Sequence, residues 1–289
     1  MSLKILSLGE VLWDLFPEGP RFGGAPANFA CHAALLGGDV SLLSAVGEDA
    51  RGRDALAILQ RFGMDTSLIQ RIADVPTGAV GVTLDAAGKP TFKIHAGSAW
   101  DQLAWTPNLE ARIANADALY FGTLGQRGER SRATIRRALT LAQSHGIRRV
   151  LDVNLRKPFH DAALIRDSIA LASILKLSDD ELPEVLAACA VAKHDTPEAT
   201  LRALLTRCQL DLVVMTRGAE GALLVSANAA VNQPGIPTRV VDTVGAGDAF
   251  TAALTLGLLR CEPPEALLRK ACEIAAAVCA QPGAVPCPL

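Results

Sequence analysis

The sequence is poor in aromatic residues and has no excess of positive charge. Phe, Trp and Tyr make up 4% of the 289 residues, only one residue is Tyr, and the formal net charge is -2. Few aromatic side chains argue against a base-stacking surface for single strands. A chain without basic excess lacks the electrostatic footprint of a nucleic-acid-binding protein. We therefore expect no nucleic-acid partner.

Paired cysteines and metal-binding motifs are also missing. The seven cysteines are odd in number and none forms a C-x-x-C pair, and the five histidines show no metal-ligand spacing. Neither a disulfide framework nor a zinc site is therefore predicted. Reduced thiols are typical of the cytoplasm, where we expect this protein to reside.

A membrane-spanning run and a P-loop are absent as well. The apolar run 249–259 is too short to cross a bilayer. Glu10 and Asp14 interrupt the short N-terminal apolar run, which does not resemble a signal peptide. We expect no membrane association. Because no G-x-x-x-x-G-K-[ST] element occurs, a nucleotide site of the P-loop type is excluded.

What the sequence does contain is an alternation of short β-type runs with helical patterns. The predicted strands are Lys4–Leu8, Val40–Ala45, Ala118–Phe121, Val150–Val153, Ile174–Leu177, Leu212–Thr216 and Ala222–Val225. The predicted helices are Pro26–Leu36, Arg53–Phe62, Arg132–His145, Ala162–Leu171, Glu181–Cys189, Glu198–Cys208, Asp248–Leu259 and Glu265–Cys279. This alternation predicts an α/β fold whose mainly parallel sheet is covered by helices. Ligands of such folds gather at the carboxyl ends of the strands.

Two regions break the alternation. Val11–Phe16, and the pair Ala79–Leu84 with Thr91–His95, look like strands without intervening helices, and residues 85–89 would join the pair as a hairpin. A small separate sheet built from these strands would cover a site as a lid. The Pro-containing stretch Val231–Thr238 is predicted to be a loop.

The stretch Asp242–Phe250 carries the clearest chemical signal. Its Gly-Ala-Gly turn lets backbone N–H groups converge, and the following helix adds the positive end of its dipole, so the turn should bind an anion such as phosphate. Asp248 directly follows the turn, and its negative charge would repel phosphate. A carboxylate at this place is explained if it takes a proton from an attacking hydroxyl. An acid that merely complements the helix dipole is the alternative.

A second Gly-rich element spans Phe22–Ala30. Gly23 and Gly24 allow a ligand to approach the backbone closely. Asn28 offers a donor and an acceptor, which suits the hydroxyl groups of a sugar. A plain loop-to-helix junction, with Pro26 in the first turn, is the alternative.

Together, the two Gly-rich elements resemble the two signatures of the PfkB, or ribokinase-like, carbohydrate kinase family. Gly-Gly-Ala-Pro-Ala-Asn lies near the start of the chain and Asp-Thr-Val-Gly-Ala-Gly-Asp near its end. The resemblance covers essentially the whole chain and implies a single kinase domain over residues 1–289. It implies a three-layer ribokinase-like fold, with a mainly parallel central sheet flanked by helices and a small β-sheet lid. The lid strands would be inserted at about 11–22 and 76–99.

The resemblance also implies an ATP-dependent sugar kinase with Mg²⁺ and, in many relatives, a monovalent cation such as K⁺. Asp248 would be the general base for the acceptor hydroxyl. The anion hole for the γ-phosphate would be formed by Gly245, Ala246 and Gly247. Asp242 and Thr243 lie where many relatives bind the monovalent cation.

Further residues match the nucleotide side of the family. Thr216, Gly218 and Gly221 belong to a turn that resembles the Thr-x-Gly turn near ATP, although an ordinary turn between two strands has the same pattern. Glu181 matches the glutamate that organises Mg²⁺ through water. Ser178 stands where the family usually has Asn, and it would equally suit the start of a helix as a cap.

On the sugar side, Asp14 matches an acid that accepts hydroxyl protons in similar kinases, and Arg156 ends an Asp-x-Asn-x-Arg element of fructokinase-type members. Gly23, Gly24 and Asn28 would bind the same substrate. A carboxylate at Asp14 favours a neutral polyol and repels a phosphorylated sugar.

The segment around Trp13–Pro17 and Arg21–Gly24 is most similar to bacterial fructokinases, so the predicted acceptor is a primary hydroxyl of fructose. Ribose, 2-keto-3-deoxygluconate and a non-catalytic sugar or nucleotide sensor on the same fold are the alternatives. The lid strands of similar kinases often pair across a dimer, and a homodimer through the lid is therefore expected.

Overall fold

A nine-stranded sheet forms the centre of the computed structural model, which describes residues 2–84 and 90–286. Its strands run in the order β13-β12-β11-β10-β9-β8-β1-β4-β5. They are β1 (Lys4–Leu8), β4 (Asp39–Gly47), β5 (Ile69–Ile72), β8 (Ala118–Gly122), β9 (Arg148–Asp152), β10 (Ile174–Ser178), β11 (Leu212–Thr216), β12 (Ala222–Ser226) and β13 (Ala230–Gln233). β12 pairs antiparallel with both β11 and β13, and the remaining neighbours are parallel.

Helices cover both faces of this sheet. The helices are α1 (Ala25–Leu35), α2 (Ala50–Arg61), α3 (Pro107–Ala114), α4 (Glu129–Ser144), α5 (Ala162–Ala170), α6 (Leu182–Cys189), α7 (Pro197–Cys208), α8 (Ala246–Leu259) and α9 (Pro264–Cys279). None of those described combines the length and apolarity that crossing a bilayer requires.

Alternating side chains on each strand explain the two covered faces. Ile5 of β1 packs into a core with α1, α2, α8 and α9, whereas its neighbour Leu6 packs into a second core with α3 to α7. Val150 and Leu151 of β9 divide in the same way. Because successive residues of a strand point to opposite faces, apolar runs such as these predict strands buried on both sides. The predicted three-layer α/β architecture is confirmed.

A separate four-stranded sheet lies outside this core, in the order β3-β2-β6-β7. Its strands are β2 (Leu12–Phe16), β3 (Gly19–Gly23), β6 (Gly78–Leu84) and β7 (Pro90–Ile94). The prediction of a small second sheet is thus confirmed; β3 lies almost entirely within the predicted lid range of about 11–22 but was not predicted as a separate strand. The predicted hairpin loop 85–89 lies outside the described residues. That the chain is one domain with this sheet as its lid stays a prediction.

The prediction of a loop over Val231–Thr238 was wrong at its start. Residues Ala230–Gln233 form β13, the edge strand that pairs antiparallel with β12. No residue of β13 is buried, so the segment lacks the apolar run that identifies a buried strand. β5 and α3 were also missed, and α8 begins at Ala246, two residues before the predicted start.

Candidate active site

The carboxyl ends of the central strands face the start of α8, where the predicted anion-binding turn lies. Gly245 immediately precedes the helix in the left-handed conformation, with φ +80. A side chain at this position would overlap the carbonyl oxygen of Ala284. Only glycine satisfies both the dihedral angle and the packing, and this fixes the shape of the turn.

The turn leaves several N–H groups free for a ligand. Among the described residues, the amides of Gly245, Gly247 and Asp248 have no hydrogen-bond acceptor. The amide of Ala246 differs from the predicted anion hole, because it donates to the carbonyl oxygen of Thr243 at 3.3 Å. Unpaired N–H groups at the start of a helix form an anion-binding site.

Asp248 lies in the first turn of α8 and is buried. Its carboxylate accepts a hydrogen bond from the Asn28 side-chain amide at 2.9 Å. Burial raises the pKa of Asp248 to about 7, against the lowering effects of Asn28, Lys176 and Arg156. A carboxylate with a pKa near the working pH is well suited to take a proton from a hydroxyl.

The predicted sugar-binding residues converge from the second sheet and α1. Gly23 lies against Asp14, since a Cβ at Gly23 would come within 2.8 Å of the Asp14 carboxylate. Gly24 adopts φ +105, and a Cβ there would lie 2.6 Å from the carbonyl oxygen of Glu10, so the two backbones are in close contact. Burial raises the pKa of Asp14 to about 6, opposed by the nearby positive charges of Arg156 and Arg21.

Three buried polar atoms in this region have no hydrogen-bond partner among the described residues. They are the Oε2 atom of Glu10, the Oδ1 atom of Asn28 and the hydroxyl of Tyr120. Buried polar groups are normally paired, so these three atoms keep unused hydrogen-bonding capacity. Sequence reasoning missed Glu10 and Tyr120, although Glu10 follows β1 directly and so stands at the carboxyl edge of the sheet.

Arg156 provides positive charge to the same region. It is exposed, and its guanidinium lies close enough to lower the pKa values of Glu10, Asp14 and Asp248, although in each case burial dominates and the net shift is upward. The structure thus brings Arg156 near the predicted base and near the predicted sugar-binding acid.

Lys176 of β10 is a third residue that sequence reasoning missed. It is buried, and its ammonium lies 3.0 Å from the carboxylate of Asp152 at the end of β9. A Cβ at Gly247 would come within 3.3 Å of the same ammonium. The available signal was a lysine within an otherwise apolar strand, where a charged side chain is rarely buried without a partner.

A cavity of about 450 Å³ opens on the other side of the turn. Its walls include Thr216, Gly218 and Gly221 from the predicted nucleotide turn, and Thr243, Ala246 and Gly247 from the predicted anion-binding turn. Phe250 and the α9 residues Ala275 and Ala276 add apolar surface. An apolar slot that ends at free N–H groups suits a flat base followed by phosphates.

Glu181 and Ser178 are tied to each other and to the neighbouring loop. The Glu181 carboxylate accepts the N–H groups of Leu155 at 2.7 Å and Ser178 at 2.8 Å. The Ser178 hydroxyl accepts the Glu181 N–H at 3.3 Å, but Glu181 is the residue that precedes α6, so the alternative that Ser178 caps this helix is wrong. Each carboxylate oxygen keeps a second lone pair, and this is compatible with holding a water ligand of Mg²⁺.

No cluster of three or more His, Cys, Asp or Glu side chains that would hold a metal ion occurs in the part of the chain that the structure describes. Proteins usually bind Mg²⁺ through one or two carboxylates, waters and the phosphates of the nucleotide. Glu181, whose carboxylate oxygens each keep a lone pair, fits such a water-mediated role.

The environment of Asp242 fits a monovalent cation less well. Its two carboxylate oxygens accept the N–H groups of Val244 and Gly283, each at 3.0 Å. The guanidinium of Arg21 lies 3.7 Å from the same carboxylate. A second positive charge beside Arg21 would be repelled, so a K⁺ bound by Asp242 and Thr243 stays a prediction that this geometry disfavours.

Comparisons with known proteins agree with this architecture. The family model described as pfkB family carbohydrate kinase matches residues 19–289. A fructokinase of Klebsiella pneumoniae is 31% identical over 287 residues, covering 96% of this chain and 91% of that protein. An aminoimidazole riboside kinase of Salmonella typhimurium is 30% identical, covering 89% and 81%.

A solved structure agrees as well. The fructokinase from Vibrio cholerae O395, in its fructose-, ADP- and calcium-bound form, superimposes with a TM-score of 0.81 at 25% identity, covering 99% of this chain and 96% of that one. The family match spans nearly the whole chain, and the relatives at about 30% identity cover most of it. The chain therefore belongs to the pfkB family of carbohydrate kinases.

Proposed function

We propose that this carbohydrate kinase is an ATP-dependent fructokinase, which transfers the γ-phosphate of ATP to a primary hydroxyl of fructose. The observation that carries the proposal is the position of Asp248. Its carboxylate is hydrogen-bonded to Asn28 on the side of the unpaired polar atoms, while the adjoining turn lines the apolar cavity on the other side. One acid thus stands between a polyol-binding region and a nucleotide-binding region.

The chain's own residues account for the reaction. Asp248 takes the proton of the attacking hydroxyl as that oxygen bonds to the γ-phosphorus and the bond to the ADP oxygen breaks. The free N–H groups of Gly245 and Gly247 stabilise the charge on the transferring group. Mg²⁺, brought with the nucleotide and held through water by Glu181, would neutralise the phosphates. The small sheet closes over the sugar and limits wasteful hydrolysis of ATP.

Support for fructose comes from the sugar side. Asp14, Glu10 and Tyr120 offer hydrogen-bonding groups suited to a neutral polyol. The relatives include fructokinases at 28–31% identity, and one fructokinase was solved with fructose and ADP bound. A relative at 30% identity is instead an aminoimidazole riboside kinase, so the acceptor has to be determined directly.

A coupled ADP-release assay tests the proposal. Purified protein with ATP and Mg²⁺ is offered fructose, ribose, 2-keto-3-deoxygluconate and aminoimidazole riboside, and kcat/KM is compared. We expect the highest value for fructose. A higher value for another acceptor would replace fructose by that substrate. Binding of a sugar by calorimetry without ADP release from any of them would indicate a sensor and reject the kinase reaction for this chain.

Three further expectations accompany the proposed function. The cytoplasmic location, where ATP is abundant, and the homodimer through the small sheet are predictions from the sequence.

Activation by K⁺ is tested by comparing rates in potassium and in tetramethylammonium salts at equal ionic strength, and equal rates are expected if Arg21 excludes the ion from Asp242.

A further inference from the structure

A buried network of charged and polar side chains connects the central sheet to the anion-binding turn at the start of α8. The ammonium of Lys176 lies 3.0 and 3.1 Å from the two carboxylate oxygens of Asp152. The Thr251 hydroxyl of α8 lies 3.4 Å from Asp152 and 2.8 Å from the carbonyl oxygen of Gly247. Lys176 and Asp152 are therefore connected to the turn at Gly247 both directly and through Thr251.

We propose that Lys176 is a positioning residue for phosphoryl transfer, whose buried ammonium, held by Asp152 next to Gly247, supplies fixed positive charge to the anion-binding turn and to the carboxylate of Asp248. This inference rests on the proposed kinase reaction. It assigns a role to a residue outside both Gly-rich elements.

The ammonium has the burial that such a role requires. The side chain of Lys176 is 8% exposed and that of Asp152 is 2% exposed. A charge shielded from water interacts far more strongly with its neighbours than one at the surface. Within the described residues Asp152 is the hydrogen-bond acceptor of Lys176, and an ammonium has three N–H groups, so donor capacity remains.

Lys176 stays charged in this setting. Burial by itself lowers the pKa of Lys176, but the carboxylates of Asp152 and Glu181 more than offset that effect, and Asp248 adds to theirs, so the net shift is upward. The side chain is thus an ammonium at every pH where the enzyme would work.

The charged groups around Asp248 predict opposite shifts of its pKa in two variants. Asp152 and Lys176 face it from the sheet, Arg156 faces it from the loop after β9, Asn28 donates to it from α1, and Tyr120 lies close by on β8. Lys176 lowers the pKa of Asp248 and Asp152 raises it. Removing the positive charge should therefore move the titration of Asp248 upward, and removing the negative charge should move it downward.

The test compares Lys176→Met, Asp152→Asn and the double variant. We expect Lys176→Met to raise the pKa of Asp248 by about one unit and Asp152→Asn to lower it, with the double variant lying between them. The readout is the carboxyl ¹³C chemical shift of Asp248, assigned by its loss in Asp248→Asn. Because this titration needs no turnover, it remains informative even if no sugar is phosphorylated and the proposed function fails.

Kinetics give the second readout. In Lys176→Met we expect kcat to fall at least about tenfold at a pH where Asp248 is ionised in every variant, because charge next to the transferring phosphate is lost. The KM for fructose should change little. Lys270→Met is the matched control and should leave both readouts unchanged; Lys270 is a half-exposed lysine of α9 that pairs with Glu262.

Lys176→Met leaves Asp152 buried without its partner, so the folding of this variant is checked by thermal denaturation. If that variant does not fold, Asp152→Asn is compared with the double variant instead; Asp152→Asn leaves Lys176 with Glu181 and Asp248 as its nearby carboxylates, and the double variant removes both charges of the pair. An Asp248 titration that is the same with and without Lys176 in folded protein would overturn the proposal, as would an unchanged kcat.

Discussion

Asn28 and Asp248 are 220 positions apart in the sequence, yet the side-chain amide of one donates to the carboxylate of the other at 2.9 Å. This hydrogen bond joins the two Gly-rich elements, one at the start of α1 and the other at the start of α8. It also stabilises the ionised form of Asp248 in a buried position, where burial alone favours the protonated form.

Asn28→Ala should move the pH dependence of activity. Wild-type kcat/KM is expected to rise with pH and to level off above about pH 7, because Asp248, whose pKa is raised to about 7, must be ionised to accept a proton. Loss of the Asn28 amide raises that pKa further and shifts the rise to higher pH. The pH–rate profile measures this, and Asn115→Ala at the exposed end of α3 should leave it unchanged.

Asp248→Asn should reduce kcat by about 10²–10⁴ with little change in sugar affinity, because the amide keeps the shape of the carboxylate but cannot take the proton. Turnover and calorimetric binding of fructose check the two parts separately. Asp54→Asn, at an exposed position of α2, serves as the control. A variant with near-normal turnover would remove Asp248 from the role of base.

Asp14→Ala should weaken fructose binding and leave kcat at saturating sugar less affected. The Asp14 carboxylate lies against Gly23, and in the proposed function it accepts hydroxyl protons of the sugar. Since burial raises its pKa to about 6, sugar affinity in the wild type should also decline as the pH falls below about 6. Calorimetry at pH 5 and pH 8 measures both effects. Equal affinities in wild type and variant would place Asp14 outside the sugar site.

Glu10→Gln should stabilise the protein at alkaline pH. Burial raises the pKa of Glu10 from 4.5 to about 7 in the folded state, so between these values the folded protein binds a proton that the unfolded chain has lost. Its contribution to stability is complete below about pH 4.5 and is lost as the pH rises through about 7. Glu10→Gln has no ionisable carboxyl group, so its free energy of unfolding does not fall for this reason as the pH rises. The fall that it avoids is at most about 3 kcal/mol. Urea unfolding at pH 5 and pH 8 should show the advantage only at pH 8.

Gly245→Ala should be far more damaging than Gly146→Ala. Both glycines have positive φ, but a side chain at Gly146 meets nothing within 4 Å, whereas one at Gly245 overlaps the Ala284 carbonyl. The Gly146 variant should lose about 1 kcal/mol of stability and keep its activity. The Gly245 variant should lose more stability together with ATP affinity. Similar effects from the two substitutions would show that the turn tolerates a side chain.

Much of the fold follows from local patterns. Lys4–Leu8 and Leu212–Thr216 are strands with the predicted bounds, because each is an apolar run short enough to be a buried strand. β13 escaped prediction because an exposed edge strand needs only its neighbour's backbone to form. α3 buries only Leu109 and Ile113, so its apolar pattern is weak, whereas α6 has the same length but a more apolar sequence and was predicted.

The residues of the candidate site likewise fall into those that local patterns predict and those that they do not. The Gly-rich elements and Asp248 could be found because turns and helix starts have local chemical signatures. Lys176 and Glu10 could not be assigned, since nothing near them in the sequence indicates which distant groups surround them. The role proposed for Lys176 depends on its contacts with Asp152 on the adjacent strand and with Gly247, 71 positions later in the chain.

The contacts of Ala284 have a consequence for biosynthesis. Its carbonyl oxygen lies against Gly245 and, at 2.9 Å, beside the Nε2 atom of His32. Translation reaches Ala284 after every strand of the central sheet and all of α8 have been made. A nascent chain on the ribosome therefore lacks the Ala284 contacts with Gly245 and His32 until this late segment has been synthesised and has docked.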